Sequence, residues 1–262
     1  MSLLQADVHK PRLRLLRGGF PERPAFGTAV SQAILQRVAS GELEPTFRLH
    51  RPARELAFSK QDRAAAGFER AVGTARELGF EPVVRLAGGR AAAFHEGTLA
   101  IAWAIASERP AEGTRDRFEW LATLVARALT GLGVDARVGE VPGEYCPGAW
   151  SVNARGEVKL AGIGQRLIAG GAHAGGVVVV TRSELLRDVL VAVYEALELE
   201  WDPVTAAAIE DEVPGTDLDR VEGAIVAALG EEFELVEAEI DAPTLKLAER
   251  LEREHLASSA PT

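Results

Sequence analysis

Residues 149–180, AWSVNARGEVKLAGIGQRLIAGGAHAGGVVVV, limit the folds open to this chain more than any other stretch. Small and β-branched residues come in short runs broken by glycines, with a turn signature at NARGE. That pattern predicts a series of short strands joined by tight turns. Helical patterns bracket it in the chain. RDRFEWLATLVARALTGLG (115–133) puts Phe118, Leu121, Leu124, Val125 and Ala128 on one face, and Gly131 or Gly133 ends it. RSELLRDVLVAVYEAL (182–197) is helical as well. A hairpin-rich centre between helices predicts an α+β fold, with mixed, largely antiparallel sheets packed with helices.

The remaining segments fit that frame. AFGTAVSQAILQRVAS (25–40) spaces Phe26, Val30, Ile34, Leu35 and Val38 by three and four, an amphipathic helix closed by Gly41. TFRLHR (46–51) alternates as a strand, and AAAGFERAVGTARELG (64–79) reads as a second helix. Pro82 opens the short strand PVVRL. Gly88 and Gly89 break it, and RAAAFHEGTLAIAWAI resumes in extended form. DARVGEV (135–141) is a further strand. From about residue 183 the chain is expected to be mainly helical, and from Pro203 it is acidic. TDLDRVEGAIVAALGEEF opens on a Thr/Asp cap, and APTLKLAERLEREHLA follows. No repeat or long linker interrupts the pattern, so residues 1–262 are expected to form a single domain.

Bulk properties exclude several classes. The net charge of −10 argues against nucleic acid and an anionic membrane surface as partners, since both need many Lys or Arg contacts. The apolar run LAIAWAIA is far short of the ~20 residues that span a bilayer. No charged start followed by an apolar run marks a secretory leader. A single cysteine forms no internal disulfide and no cysteine-rich zinc site, which sets a reducing, cytoplasmic location as the expectation. No metal-binding motif is present, so no metal is expected. Positive charge does gather locally: FRLHRPARELAFSKQDRAA holds Arg48, Arg51, Arg54, Lys60 and Arg63 against Glu55 and Asp62. This is either a solvated face or a docking surface for an acidic partner.

Two constellations can carry chemistry. In VVRLAGGRAAAFHEG, Gly88 and Gly89 allow close backbone approach to a ligand, Arg85 and Arg90 flank them, and His95 follows a run of small residues. The plain alternative is a glycine bulge with two surface arginines and a buried histidine. EYCPGAWSVNARGEVKLAGIGQR (144–166) holds Cys146 on a Pro-Gly turn and Lys159 thirteen residues on. A thiol with its ordinary pKa of about 8.5 is only slightly ionised at neutral pH, and a nearby ammonium favours the thiolate. A lone cysteine is otherwise an inert small hydrophobe. His173, in GGAHAGG, borders a ligand or sits in a turn.

In order and spacing, VVRLAGGRAAAFHEGTLAIAWAI, the Cys-Pro-Gly of EYCPGAWSVN and KLAGIGQR resemble the lipoate–protein ligase and octanoyltransferase superfamily, of the biotin/lipoate protein ligase fold. The resemblance spans about residues 25–230. It implies that Arg85, Gly88, Gly89, His95 and Gly162 surround an acyl tunnel and that Lys159 contacts the acyl carbonyl; Arg90 beside the glycines and His173 are further candidates for binding the substrate. Ligases of that superfamily commonly carry a third glycine where this chain has Arg90. The Cys-Pro-Gly loop resembles the cysteine-dependent transferases, which implies a catalytic Cys146 that holds the acyl group as a thioester. The implied donor is an octanoylated carrier, either an acyl carrier protein or the glycine-cleavage carrier protein. The implied acceptor is a lysine of a lipoyl domain. Because such carriers are acidic, Arg48, Arg51, Arg54 and Lys60 are expected to dock them. No cofactor is required on this reading. ATP and Mg enter only if the chain is an ATP-dependent lipoate ligase, and a non-catalytic relative that merely binds the acyl group is the third alternative.

Overall fold

The computed structural model describes residues 10–257. The stretch behind the expectation of no leader lies largely outside the described residues. Along the chain run β1 (Arg12–Leu16), α1 (Pro24–Ala39), β2 (Thr46–His50), β3 (Glu55–Phe58), α2 (Lys60–Arg63), α3 (Phe68–Glu77) and β4 (Glu81–Val84). Then come β5 (Ala92–Phe94), β6 (Thr98–Ala106), α4 (Thr114–Gly131), β7 (Ala136–Val138), β8 (Val152–Ala154), β9 (Val158–Ile168) and β10 (Gly171–Val179). After these come α5 (Ser183–Ala196), α6 (Ile209–Glu212), α7 (Leu218–Glu232), β11 (Glu234–Ala238) and α8 (Ala242–Leu251).

Eight strands form one sheet in the order β11-β1-β2-β6-β10-β9-β8-β7, and β4-β3-β5 form a second. The large sheet is parallel across β11, β1 and β2 and antiparallel from β2 to β7. The mixed, largely antiparallel α+β architecture read from the sequence is therefore present.

Side-chain alternation gives the large sheet two unlike faces. Phe47, Leu49, Leu99, Ile101, Trp103, Ala174 and Val178 join the main core with Leu121, Val125 and Leu129 of α4 and Val221 and Ile225 of α7. The register puts small or polar residues on the other face. One row across β9, β10, β6 and β2 reads Gly164, Gly175, Ala102, Arg48, and the next reads Gly162, Val177, Ala100, His50. A face this thin cannot fill a core, and α1 and the small sheet enclose space above it.

Several expectations need correction. Glycines were expected to break residues 158–179 into short strands. Instead β9 and β10 are long and continuous: Gly175 faces Gly164 across the pair, and a Cβ on Gly176 would strike the carbonyl of Gly162. The helix expected at 64–79 begins at Phe68. Ser59 and Asp62 form a capping box that starts the separate short helix α2. The acidic tail also contains β11, whose partner β1 lies more than two hundred residues upstream, so no local pattern announces it.

Gly176→Ala should overpack the β9–β10 contact and lower stability by about 1–3 kcal/mol. The change is read as a lower urea midpoint at unchanged slope. Gly73→Ala, in helix α3 with open space around the new methyl, should raise stability by about 0.5–1 kcal/mol. Equal effects at the two sites would show that strand contact does not explain Gly176.

Candidate active site

A cavity of about 480 Å³ opens over the small-residue face of the large sheet. Its floor is Gly162, Gly164, Gly175, Val177, Ala100 and Ala102. Ala57, Ala92 and Phe94 of the small sheet and Thr28 and Ser31 of α1 line it from the other side. Phe118 and Trp150, also in the lining, stack with ring centroids 6.4 Å apart.

Cys146 lies in the cavity lining, on the loop between β7 and β8. Its φ of +44° is left-handed, a conformation that costs a non-glycine residue about 1 kcal/mol or more. Two bonds hold it there. The Cys146 N–H donates to Tyr194 Oη at 2.9 Å, and Lys159 Nζ donates to the Cys146 carbonyl at 2.8 Å. Tyr194, on α5, in turn donates to the Ala91 carbonyl at 3.0 Å. Sγ accepts from the Arg90 backbone N–H at 3.1 Å and from Arg85 Nη2 at 3.5 Å. Burial pushes this thiol up, but the Arg85 and Lys159 cations and the Arg90 N–H pull it down further. The net result lies below the ordinary thiol value.

The Gly88–Gly89 turn makes that contact possible. Gly89 has φ +102°, and a Cβ there would strike the Arg85 guanidinium and sit 2.9 Å from Sγ. Arg85 also donates to the Gly88 carbonyl. The turn rests on β9: Gly88 N–H donates to Gln165 O at 3.4 Å, and a Cβ on Gly164 would approach Ala87 at 3.0 Å.

Lys159, on β9, is 1% exposed. Its three protons meet Glu144 Oε1 at 3.1 Å, Tyr145 O at 3.0 Å and Cys146 O at 2.8 Å. Glu144 is itself buried and also accepts from Ser151 Oγ at 2.6 Å, Gly148 N at 3.0 Å and Val141 N at 3.2 Å. A Cβ on Gly162 would sit 3.2 Å from Lys159 Cε, so that glycine makes room for the lysine stem.

The structure thus gathers Cys146, Lys159, Arg85, Gly88, Gly89, Gly162 and His173 around one cavity. It separates others. His95 is fully buried off the cavity wall, and its Nδ1 accepts the Gly97 N–H at 3.0 Å, which shapes the turn into β6. Arg90 reaches Sγ only through its backbone, and its guanidinium faces Asp62 at 3.4 Å. The expected docking cluster is not a free cationic patch. Arg48 is 1% exposed and donates to Gly18 O, Gly27 O and Ser31 Oγ. Arg51 is paired with Asp219 and Glu222, and Arg54 with Glu96. Lys60 alone of the four is exposed and without an ion pair among the described residues. Sequence reasoning missed Tyr194 and Glu144. Glu144 sits two positions before Cys146, but only the tertiary fold shows that it is buried against Lys159.

Among the described residues no cluster of three or more His, Cys, Asp or Glu is arranged to hold a metal ion. No described helix is long and apolar enough to cross a membrane.

Comparison with known proteins follows the same site. The family described as the lipoyl protein ligase A/B catalytic domain matches residues 23–229. An octanoyl-[GcvH]:protein N-octanoyltransferase of Anoxybacillus flavithermus is 32% identical over 143 residues, 55% of this chain and 51% of that protein. The enzyme of the same name from Geobacillus kaustophilus is 27% identical over 143 residues, 55% and 50%. The chain spans about half the length of the curated relatives it matches. Among solved structures, a lipoate-protein ligase A bound with ATP superposes with a TM-score of 0.75 at 20% identity, covering 93% of this chain and 95% of that one. A bi-partite lipoate protein ligase from Thermoplasma acidophilum gives 0.72 at 20% identity, covering 95% of each. These two likenesses establish the shared fold.

Arg85→Met removes the cation nearest Sγ, and the thiolate loses that stabilisation. The midpoint of the pH–rate profile for iodoacetamide alkylation of Cys146 should then move up, and alkylation at pH 7 should slow. An unmoved midpoint would mean that Arg85 does not tune the thiol.

Proposed function

The chain belongs to the lipoyl protein ligase A/B catalytic-domain family, and from that premise we propose that it is an acyltransferase of protein lipoylation. It moves an octanoyl or lipoyl group through a thioester on Cys146 to a lysine of a lipoyl domain. The observation that carries this reading is the setting of Cys146: a thiol in the wall of a cavity floored by small residues, depressed by Arg85 and Lys159, on a loop tied to Lys159. The relatives named as octanoyl-[GcvH]:protein N-octanoyltransferases support it, and they favour the glycine-cleavage carrier protein over an acyl carrier protein as donor.

In the first half-reaction the Cys146 thiolate attacks the donor's acyl carbonyl. The new C–S bond forms as the bond to the donor breaks, and the departing group takes up a proton. In the second, the neutral amine of the acceptor lysine attacks the acyl-enzyme. A C–N bond replaces the C–S bond, the amine loses its proton, and the thiolate is restored. With an acyl carrier thioester as donor the net change to an amide is downhill; with the glycine-cleavage carrier, which holds its acyl group on a lysine, the amine leaves and one amide replaces another, and neither route needs ATP.

Lys159 has no idle proton in the free enzyme, since an ammonium has three donors and all are engaged. To stabilise the oxyanion it exchanges one of its two carbonyl partners for the acyl oxygen. The Arg90 N–H and the Arg85 guanidinium stay on the sulfur and favour the thiolate that attacks.

Incubation with octanoylated glycine-cleavage carrier protein should add one octanoyl mass to the intact chain, and hydroxylamine should remove it. Cys146→Ala should lose both the adduct and the transfer. Full transfer by that variant, with AMP formed from ATP and free acid, would replace this reading with the ligase.

Lys159→Ala should slow acyl-enzyme formation ~100-fold or more, and Lys159→Arg should not restore it, because a planar guanidinium cannot occupy the point of a compact ammonium. Lys159→Ala also strands the buried Glu144 carboxylate, so Lys159→Ala/Glu144→Gln separates the two effects. The double variant should regain thermal stability and stay slow. A double variant with recovered rate would reduce Lys159 to a structural part.

A further inference from the structure

The cavity lining is not uniform. Gly162, Gly164, Gly175, Ala100 and Ala102 present only small apolar surface, whereas toward β2 and β3 the lining holds the polar His50 and Glu55 together with Phe20, Pro24, Pro52 and Ala53. Behind these lies Arg48, which donates to Ser31 Oγ, itself part of the lining. Nδ1 of His50 and Nη2 of Arg48 are buried and have no hydrogen-bond partner among the described residues. Burial raises the Glu55 carboxyl to about 8 against the pull of Arg48. Burial and the Arg48 charge both hold His50 neutral.

The sheet supplies a scale. Cys146 Sγ touches the Gly88–Gly89 turn, and that turn rests on Gly164 and Gln165 of β9. His50 lies on β2, and the register row from Gly162 through Val177 and Ala100 to His50 crosses three strand intervals. Three intervals amount to roughly 14 Å. An extended eight-carbon acyl chain has seven C–C bonds of ~1.5 Å that zigzag and advance about 1.3 Å each, so it covers roughly 9 Å, plus the bond to sulfur. Its methyl end therefore lies over Ala100 and Ala102, one strand short of His50.

We infer that His50 and Glu55 set the length of acyl chain the protein accepts, because they close the cavity with polar groups that a tail longer than eight carbons has to bury. An octanoyl tail stops short of them and leaves the partly exposed Glu55 carboxyl open to water in the cavity. A decanoyl tail lays methylenes against that carboxyl and against the His50 imidazole and gives neither a partner in return, and the loss outweighs the gain from burying two more carbons. This rests on the acyl-transfer reading for its biological meaning, although the length limit belongs to the cavity itself.

The test is calorimetric titration of the chain with free hexanoate, octanoate, decanoate and dodecanoate. An apolar sleeve without a stop would tighten binding about fourfold per methylene throughout the series. The expected result is a rise from hexanoate to octanoate, then decanoate weaker than octanoate, at least a twentyfold shortfall below that extrapolation. His50→Leu and Glu55→Leu should each recover about tenfold for decanoate while octanoate changes less than twofold. Glu55→Gln, which keeps the end polar, should retain the cut-off. Thermal unfolding checks that each variant is folded; His50→Leu carries the test if Glu55→Leu is not. A rise that continues through dodecanoate in the unaltered chain, leucine variants that weaken all four acids alike, or no binding by any of them overturns the inference. The titration involves no transfer, so a missing acyl-enzyme would reject the Cys146 chemistry and leave this result standing, and a missing cut-off would do the reverse.

Discussion

Everything at the site hangs on one buried ammonium. Lys159 joins β9 to the loop that carries Cys146 by three hydrogen bonds, one to a carboxylate and two to backbone carbonyls. Both ions of the Lys159–Glu144 pair are out of water, and breaking such a pair by removing one partner typically costs about 3–5 kcal/mol. Glu144 spreads that dependence further. It ties Val141 N, Gly148 N and Ser151 Oγ to the same centre, so the whole turn from 141 to 151 is organised around one carboxylate. The left-handed φ of Cys146 is affordable only inside this frame, since its carbonyl faces Lys159 and its N–H faces Tyr194.

Glycine plays the complementary part. Gly89 lets the guanidinium of Arg85 and the thiol of Cys146 meet where any side chain would stand between them. Gly162 leaves room for the lysine stem, and a Cβ on Gly175 would run into the Ile101 carbonyl and lie 3.0 Å from the His173 ring. Polar anchors thus fix where the sulfur is, and missing side chains fix how closely its neighbours come.

This division explains what was legible in the sequence. The glycines, Cys146 and Lys159 stand in a compact pattern with helices before and after, so the α+β class and most of the site could be read locally. Arg48 could not. In TFRLHR it looks like one cation of an exposed basic stretch. The strand alternation that puts Phe47 and Leu49 into the main core, however, points Arg48 to the opposite face, beneath α1. Tyr194 and β11 were hidden for a different reason. Each acts on a partner far away in the chain, Cys146 in one case and β1 in the other, and nothing local marks a residue for such a contact. His95 shows the converse: it belongs to a familiar local pattern, yet it serves the turn into β6 and stays off the cavity wall.

The arrangement also separates two electrostatic tasks that a single cation would perform poorly. A group that stabilises the thiolate before attack opposes the attack if it is the only stabiliser, because the negative charge moves from sulfur to the carbonyl oxygen. In this chain Arg85 and the Arg90 N–H face Sγ directly, and Lys159 faces the main chain beside it. In the proposed reaction the charge leaves a site served by Arg85 and arrives at one served by Lys159. The two cations are fixed by different elements, Arg85 just after β4 and Lys159 in β9. Their spacing is therefore set by the packing of the small sheet on the large one and not by a flexible loop. The frame around both cations is thus preorganised, so that only one Lys159–carbonyl hydrogen bond has to change at the moment of reaction, and it accounts for a thiol and a lysine thirteen residues apart being held by contacts that reach across the whole fold.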